Sequence, residues 1–141
     1  MKQLLKEEIT EHIRVIKDLR LVEDSILNFF KDIKTCIDRE NKVIFCGNGG
    51  SAGDSQHLAA EFTGRFLKER RPLPGLALTT DTSALTSIGN DYGFNEIFSR
   101  QIRAIGKRND ILIAISTSGN SANVIECVKA AKDLKIKSIG L

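Results

Sequence analysis

The sequence predicts an α/β fold, a three-layer αβα sandwich with a parallel, Rossmann-like sheet, preceded by N-terminal helices. Three observations predict it. Apolar residues recur at helical spacing over residues 1–40, short apolar runs then alternate with helical segments, and two of these runs end in loops of glycine and serine. Strands that alternate with helices form parallel sheets through right-handed crossovers. We therefore expect an N-terminal helical segment, residues 1–40, and a sheet domain, residues 41–141.

The N-terminal segment is predicted to contain two amphipathic helices. One apolar series runs from Leu5 to Ile16 and a second from Ile26 to Ile37, with a break near residues 21–24 and either Asp24 or Ser25 as N-cap. Helices placed before the first strand have no strand of their own to cover. They can pack on the domain or associate with another chain, and the residues alone leave both alternatives open.

Four strands and four helices are predicted beyond residue 41. The strands are 43–46, 76–79, 111–115 and 136–141, and the helices are 51–67, 83–88, 95–105 and 121–134. Residues 89–95 are predicted to form a polar turn that Asn95 closes as N-cap of the following helix. A fourth strand with no covering helix leaves apolar surface exposed, so we expect a C-terminally incomplete domain that lacks a fifth strand and a helix and is inactive alone.

Composition excludes several classes of protein. Hydrophobic residues make up 41% and charged residues 28% of the chain, and the net charge is +3, which is too small to indicate a nucleic-acid partner. The basic stretch 68–71 is interrupted by Glu69 and is interpreted as a solvated helix end. The longest aliphatic run, 111–115, is too short for a membrane span, and no basic-then-apolar leader opens the chain. We expect a cytoplasmic protein with no membrane partner.

The cysteines indicate a reducing environment as well. Cys36, Cys46 and Cys127 are odd in number, form no CxxC pair and lie in apolar contexts. Buried, reduced thiols are the simplest interpretation.

Two loops at strand ends carry the strongest functional signal. Residues 47–53 (GNGGSAG) and 116–121 (STSGNS) each connect a predicted strand to a predicted helix. Glycines let backbone N–H groups approach an anion, the helix N-terminus adds positive partial charge, and hydroxyls add neutral donors. This chemistry favours a phosphate monoester. A tight turn with a serine N-cap would explain one Gly and one Ser, but not Ser116, Thr117, Ser118 and Ser121 together.

The first loop also fits a second class of protein. Gly47, Gly49 and Ala52 match the dinucleotide fingerprint G-x-G-x-x-A, and Asp81 follows the next strand. A nicotinamide dehydrogenase therefore remains an alternative, although it does not need a second phosphate loop. A P-loop NTPase is excluded because the chain contains no G-x-x-x-x-G-K-[ST] sequence.

His57 and Glu61 are four residues apart on the helix that follows the first loop, so they share a face. Such a pair can provide two metal ligands, or Glu61 can act as a base beside a carbonyl. Spacing alone favours an exposed, hydrogen-bonded pair, and composition alone favours a plain loop around Asn90. His12 is interpreted as a surface or interface residue.

Together these segments resemble the sugar isomerase domain family and, within it, the phosphoheptose isomerases. The resemblance covers about residues 1–141. It rests on four spaced motifs: 46–51 (CGNGGS), His57 with 60–61 (AE) and 63–65 (TGR), 89–94 (GNDYGF) and 116–124 (STSGNSANV). Any one of these motifs is weak, whereas the four together are specific.

The resemblance implies an aldose–ketose isomerase that converts sedoheptulose 7-phosphate to D-glycero-D-manno-heptose 7-phosphate through an enediol, for ADP-heptose and surface glycans. It implies a homotetramer in which neighbouring chains complete the active sites. Zinc is the implied cofactor, with His57 and Glu61 as two ligands and a Gln and a His beyond Leu141 as the others. Glu61 is the implied catalytic base. The implied substrate-binding residues are Asn48, Gly49, Gly50, Glu61, Asn90, Asp91, Ser116, Thr117, Ser118 and Ser121, with Ser51 a weaker candidate.

A non-catalytic relative is the alternative from a different functional class. Some sugar isomerase domains sense a phosphosugar or bind a replication initiator as tetrameric adaptors. The resemblance implies that these adaptors lack an acid at the position of Glu61, so its presence favours the enzyme.

Overall fold

The computed structural model describes all 141 residues and divides into two compact units, Met1–Asp32 and Ile33–Leu141. The helices are α1 (Lys2–Asp18), a 3-10 turn (Leu19–Val22), α2 (Glu23–Asp38), α3 (Gly50–Thr63), α4 (Thr82–Tyr92), a 3-10 turn (Phe94–Glu96), α5 (Ser99–Ile105) and α6 (Ala122–Asp133). The strands are β1 (Val43–Gly47), β2 (Gly75–Ala77), β3 (Ile111–Ile115) and β4 (Lys137–Gly140). None of the helices combines the length and apolar composition that a membrane span requires.

The strands form one parallel sheet in the order β2-β1-β3-β4, which confirms the predicted α/β class. All residues of β1 and β3 are buried, as expected for central strands covered on both faces. On one face Ile44 and Leu112 pack with Ile102 and Cys127 of α5 and α6. On the other face the Phe45 ring meets the Phe62 ring of α3 edge-on, with centroids 5.6 Å apart.

Several predicted boundaries differ from the structure. The helix predicted over 51–67 ends at Thr63, because the backbone turns away at Gly64 and the Leu73 N–H bonds to the Phe62 carbonyl. Most of the turn predicted over 89–95 is the end of α4. The N-cap of that helix is Asp81, whose carboxylate accepts from the Ala84 N–H at 2.9 Å, and its C-cap is Gly93 with φ +91°.

Smaller boundary shifts have local causes. The helix predicted over 95–105 is a 3-10 turn followed by α5, whose N-cap is Phe98, so Asn95 is not the N-cap. The predicted break at 21–24 lies at Leu19–Val22, and α2 begins at Glu23, before Asp24 and Ser25. Strand β2 is shorter than 76–79, although the Leu78 N–H still bonds to the Phe45 carbonyl.

A buried carboxylate fixes the amino end of the sheet. Asp110 is 1% exposed and accepts from the Lys42 ammonium at 2.6 Å, the Lys42 N–H at 3.0 Å, the Lys107 N–H at 2.8 Å and the Asn41 amide at 3.2 Å. Burial alone would raise the pKa of Asp110, but the hydrogen bonds from Lys42 and Lys107 lower it below its ordinary value. Asp110 therefore joins the segments that start β1 and β3.

The three cysteines are free and buried, which confirms the prediction of reduced core thiols. Burial raises the pKa of the Cys36 thiol to about 11. The neighbouring Cys46 thiol and burial raise the pKa of Cys127 far above its usual range. The Cys36 and Cys127 thiols are therefore protonated at neutral pH.

Candidate active site

The first loop brings the end of β1 close to the start of α3. A Cβ atom on Gly47 would lie 2.7 Å from the Ser51 Cβ, so only glycine fits there. Gly49 is the N-cap of α3, with φ +54°, and no side chain caps the helix. Ser51 is therefore inside α3 rather than its N-cap. The first turn of α3 presents its N-terminal partial positive charge at the carboxyl end of the sheet.

The second loop gathers hydroxyl groups at the start of α6. The Ser116 Oγ lies 3.1 Å from the Ser121 Oγ and 3.4 Å from the Ser118 Oγ. Gly119 turns the chain with φ +65°, and its N–H donates to the Ser116 carbonyl at 3.1 Å. Ser116 and Ser121 are half-buried, whereas Thr117 and Ser118 are exposed. The loop thus presents a set of neutral donors to solvent at a helix N-terminus, which suits a phosphate dianion.

The structure joins the two loops through a residue that the sequence did not single out. Because Gly47 is in register with Ile115, the loops that follow β1 and β3 are neighbours. The Asn48 amide donates to the Asn123 Oδ1 and the Asn123 amide donates to the Asn48 Oδ1, each at 2.8 Å. Asn123 is 2% exposed. A polar residue on the buried face of α6 was the signal that could have identified it.

A small cavity of about 180 Å³ opens beside the first loop. Its lining residues are Gly47, Asn48, Gly49, Ala52, Thr79, Leu85, Phe94, Ile97 and Phe98. The first loop therefore borders a space with one polar wall and one apolar wall.

His57 and Glu61 lie together on α3, as their spacing predicted, but they do not form the exposed hydrogen-bonded pair that spacing alone favoured. The His57 Nε2 and the Glu61 Oε1 are 3.6 Å apart, and the side chains are 75% and 32% exposed. The Glu61 Oε2 atom is buried and has no hydrogen-bond partner. A carboxylate oxygen in that state is costly, so the site calls for a cation or a proton donor from outside the chain.

The side chains of His57 and Glu61 fit part of a zinc site. An imidazole and a carboxylate are ordinary zinc ligands, and the unpartnered Glu61 Oε2 has a lone pair to give. The structure contains no group of three or more His, Cys, Asp or Glu side chains that could hold a metal ion. His57 and Glu61 therefore fit as two ligands of a site that needs further ones.

The two loops and the His57–Glu61 pair lie at opposite ends of the sheet. The first turn of α3 touches the end of β1 at Gly47, whereas Ala59 and Phe62 contact Gly75, which is in register with the first residue of β1. Glu61 is eleven residues beyond Gly50, or about 16 Å along the helix axis. The structure brings the two loops together and does not bring Glu61 to them.

Asn90 and Asp91 lie in the last turn of α4, and both are exposed. The Asn90 amide donates to the Asp91 carboxylate at 2.8 Å. Asp91 lines a separate cavity of about 650 Å³ beside the outer strand β2, together with Tyr92 and Arg100. Their side chains are open to solvent and available to a ligand, but they do not line the cavity beside the first loop.

A further residue that the sequence analysis missed acts on the end of α3. The Arg70 guanidinium donates to the carbonyls of Glu61 and Phe62, the latter at 3.0 Å. The basic stretch 68–71 was interpreted as a solvated helix end. Instead, half-buried Arg70 lies beyond the helix and caps it.

Comparison with known proteins defines the class of the chain. The family model of the SIS domain matches residues 7–141. Phosphoheptose isomerase from Campylobacter jejuni is 49% identical over 141 residues, which is all of this chain and 76% of that protein. The chain therefore belongs to the SIS domain family.

Within that family, the similar proteins are phosphoheptose isomerases. Phosphoheptose isomerase from Aliarcobacter butzleri is 50% identical over 138 residues, covering 98% of this chain and 73% of that protein. The solved structure of phosphoheptose isomerase from Neisseria gonorrhoeae superposes with a TM-score of 0.89 at 45% identity, over 99% of this chain and 73% of that chain. The structure from Francisella tularensis gives a TM-score of 0.87 at 36% identity, over 100% and 75%.

Proposed function

We propose that this chain is an aldose–ketose isomerase that converts sedoheptulose 7-phosphate to D-glycero-D-manno-heptose 7-phosphate, the first step toward ADP-heptose. The observation that carries the proposal is Glu61, a half-buried carboxylate with an unpartnered buried oxygen. It occurs in a SIS domain fold whose similar proteins are named phosphoheptose isomerases. An acid in that state is suited to accept a proton from carbon.

The phosphate of the substrate binds the second loop in this proposal. The Ser116 hydroxyl lies within 3.4 Å of the hydroxyls of both Ser118 and Ser121, and Thr117 is exposed beside them. The N-terminus of α6 adds a positive partial charge without a competing counter-ion. The site thus binds a dianion mainly through neutral donors.

The sugar chain contacts Asn48, Gly49 and Gly50 of the first loop, while Asn90 and Asp91 bind hydroxyl groups. Backbone N–H groups at Gly49 and Gly50 are accessible because neither residue has a side chain and both are exposed. Asn90 and Asp91 offer an amide and a carboxylate in adjacent positions, which suit vicinal hydroxyls.

Glu61 carries the proton in the reaction. It removes the proton from C1 of the open-chain ketose, the electron pair forms the C1–C2 double bond of an enediol, and Glu61 returns the proton to C2 to give the aldose. A second group, a histidine in the family, moves the proton between the two oxygens.

We propose zinc as the cofactor, with His57 and Glu61 as two of its ligands. When bound, zinc would polarise the substrate carbonyl and stabilise negative charge on oxygen. The chain's own contribution is to hold the Glu61 carboxylate in a partly desolvated position, with its Oε2 shielded from water.

We propose a homotetramer in the cytoplasm, with the N-terminal helices in its bundle. Leu5, Ile9, Ile13 and Ile16 are exposed at helical spacing along α1, which indicates a face that packs on another surface. The separation of Glu61 from the first loop, about 16 Å along the axis of α3, supports the same proposal, because one substrate has to reach both. Glu61 of one copy then completes the site that the loops of another copy form.

Substitution of Glu61 tests the proposal. In the full-length protein, Glu61→Gln keeps the size of the side chain and removes the base, so we expect turnover of sedoheptulose 7-phosphate to fall by at least about 10³-fold while sugar phosphate still binds by calorimetry. The matched control is Glu126→Gln, an exposed position on α6 paired with Lys129. Full activity of Glu61→Gln would overturn the role of Glu61.

Two other outcomes would redirect the assignment. A full-length wild-type protein that turns over no sedoheptulose 7-phosphate and captures a replication protein would be an adaptor. A rise in melting temperature with a nicotinamide nucleotide would favour a dehydrogenase.

A further inference from the structure

We propose that Asn123 is a positioning residue of this site: its buried amide holds Asn48, and with it the first loop, against the second loop. The proposal rests on the proposed function, in which the first loop binds the sugar chain and the second binds phosphate. Asn123 would touch no substrate atom and would act through Asn48.

The geometry of the amide pair carries the proposal. Each amide donates one N–H to the carbonyl oxygen of the other at 2.8 Å, across 75 positions of sequence. Asn123 is 2% exposed in the first two turns of α6, where the core cluster already contains Val124 and Cys127. A polar side chain at such a position is costly unless it is hydrogen-bonded, and Asn48 is its partner.

The two loops differ in how they are held internally. The second loop contains its own hydrogen bonds between Ser116, Ser118 and Ser121 and a turn bond from Gly119 to Ser116. The first loop holds its turn through bonds from Ala52 and Gly53 to the Gly49 carbonyl, which leave Asn48 to its partner on α6. Loss of the pair should therefore loosen the sugar-binding loop and leave the phosphate-binding loop in place.

The pair also leaves Asn48 able to bind a ligand. An asparagine amide has two N–H donors and an oxygen with two lone pairs, and the pair uses one of each. The second N–H and the second lone pair remain, in a plane that Asn123 fixes. Asn48 lines the cavity beside the first loop, which is where the sugar chain would lie.

A double-mutant cycle tests the coupling. Asn48→Ala, Asn123→Ala and the double variant are compared by kcat and KM for sedoheptulose 7-phosphate and by the inhibition constant of inorganic phosphate. We expect Asn123→Ala to lower kcat/KM by about 10- to 100-fold, because a buried pair is broken. The double variant should equal Asn48→Ala within about twofold, and inhibition by inorganic phosphate should change by less than about twofold.

Ser99→Ala is the matched control. Ser99 is also 2% exposed, and its hydroxyl bonds to Glu96 rather than to a residue of either loop. We expect it to lower the melting temperature without changing KM. If Asn123→Ala does not fold, Asn123→Asp replaces it in the cycle, since it keeps the volume and removes the donor to Asn48.

Three results would overturn the proposal. If the fold-losses in kcat/KM of Asn48→Ala and Asn123→Ala multiply in the double variant, Asn123 does not act through Asn48. An inhibition constant for inorganic phosphate that rises as much as KM would mean that Asn123 supports the second loop. If Asn123→Ala leaves kcat/KM unchanged, the role of Asn123 is purely structural. If the full-length wild-type protein does not turn over the sugar phosphate, the proposed function fails instead, and the same cycle is measured on calorimetric binding of sedoheptulose 7-phosphate and inorganic phosphate.

Discussion

The two ends of the sheet use different chemistry. At the carboxyl end, two loops present backbone N–H groups, hydroxyls and two helix N-termini, joined by the Asn48–Asn123 amide pair. At the amino end, charged side chains dominate: Glu61 with an unpartnered buried oxygen, and Asp110 paired with Lys42. Asp110 is satisfied within the chain, whereas Glu61 is not. Under the proposed function, the loops at the carboxyl end of the sheet bind the substrate, whereas Glu61, near the C-terminal end of α3, needs a partner from outside the chain.

The largest expected effect tests whether the two ends meet between copies. Glu61→Gln and Ser121→Asp should each abolish turnover, by about 10³-fold or more, because one lacks the base and the other repels the phosphate. Co-expression of the two variants should restore a measurable part of the wild-type rate, since some sites combine an intact loop with an intact Glu61. No recovery in mixed oligomers whose composition is verified by mass spectrometry would mean that one chain supplies both ends.

The next effect concerns stability at the amino end. Asp110→Asn should lower the free energy of unfolding by about 3 kcal/mol, because Lys42 loses its buried counter-charge. Chemical denaturation measures this loss. The control is Lys34→Met, which breaks the exposed pair with Asp38 and should lower the free energy of unfolding by about 0.5 kcal/mol. Equal losses in the two variants would contradict the structural role of Asp110.

Asp110 also predicts a pH dependence. Its pKa is lowered in the folded protein, so its contribution is fully present above the unfolded pKa of about 3.9 and is lost as pH falls through the lower folded pKa. The melting temperature of the wild-type protein should therefore fall below about pH 4 more steeply than that of Asp110→Asn. Parallel curves for the two proteins would show that other carboxylates account for the acid sensitivity.

A smaller effect is expected at the second loop. Ser121→Ala should raise KM for the sugar phosphate by about tenfold with little change in kcat, because it removes one neutral donor to phosphate. Ser87→Ala, an exposed serine on α4, serves as control. A change in kcat alone would place Ser121 at the reacting atoms rather than at the phosphate.

The smallest effect concerns the cap of α3. Arg70→Lys keeps the charge but not the two-pronged donation to the carbonyls of Glu61 and Phe62, so we expect kcat to fall by about three- to tenfold with KM unchanged. Lys68→Met, in the same basic stretch, is the control. An unchanged kcat in Arg70→Lys, or an equal loss in Lys68→Met, would mean that the donation from Arg70 to the carbonyls of Glu61 and Phe62 does not set the position of Glu61.

Local sequence determined most of the architecture. The apolar run 111–115 is β3 because five consecutive aliphatic residues fit a strand buried on both faces, and the alternation of strands and helices was sufficient to predict a parallel sheet. Gly47 and Gly49 marked a close turn, which the structure shows at the end of β1. These features depend on backbone sterics and side-chain period, which are properties of neighbouring residues.

Only the tertiary structure decided how the site residues relate to one another. The apolar residues Phe66 and Leu67 favoured a longer helix, but the chain leaves α3 after Thr63 and Arg70 caps it. Residues 89–92 suggested a turn because of their polarity, but the Asp81 cap and the packing of Leu85 and Ile88 make them helical. In both cases a contact distant in sequence outweighed the local preference. For the same reason the sequence identified the serines of the second loop and Glu61, whereas the Asn48–Asn123 link depends on how the strands pack.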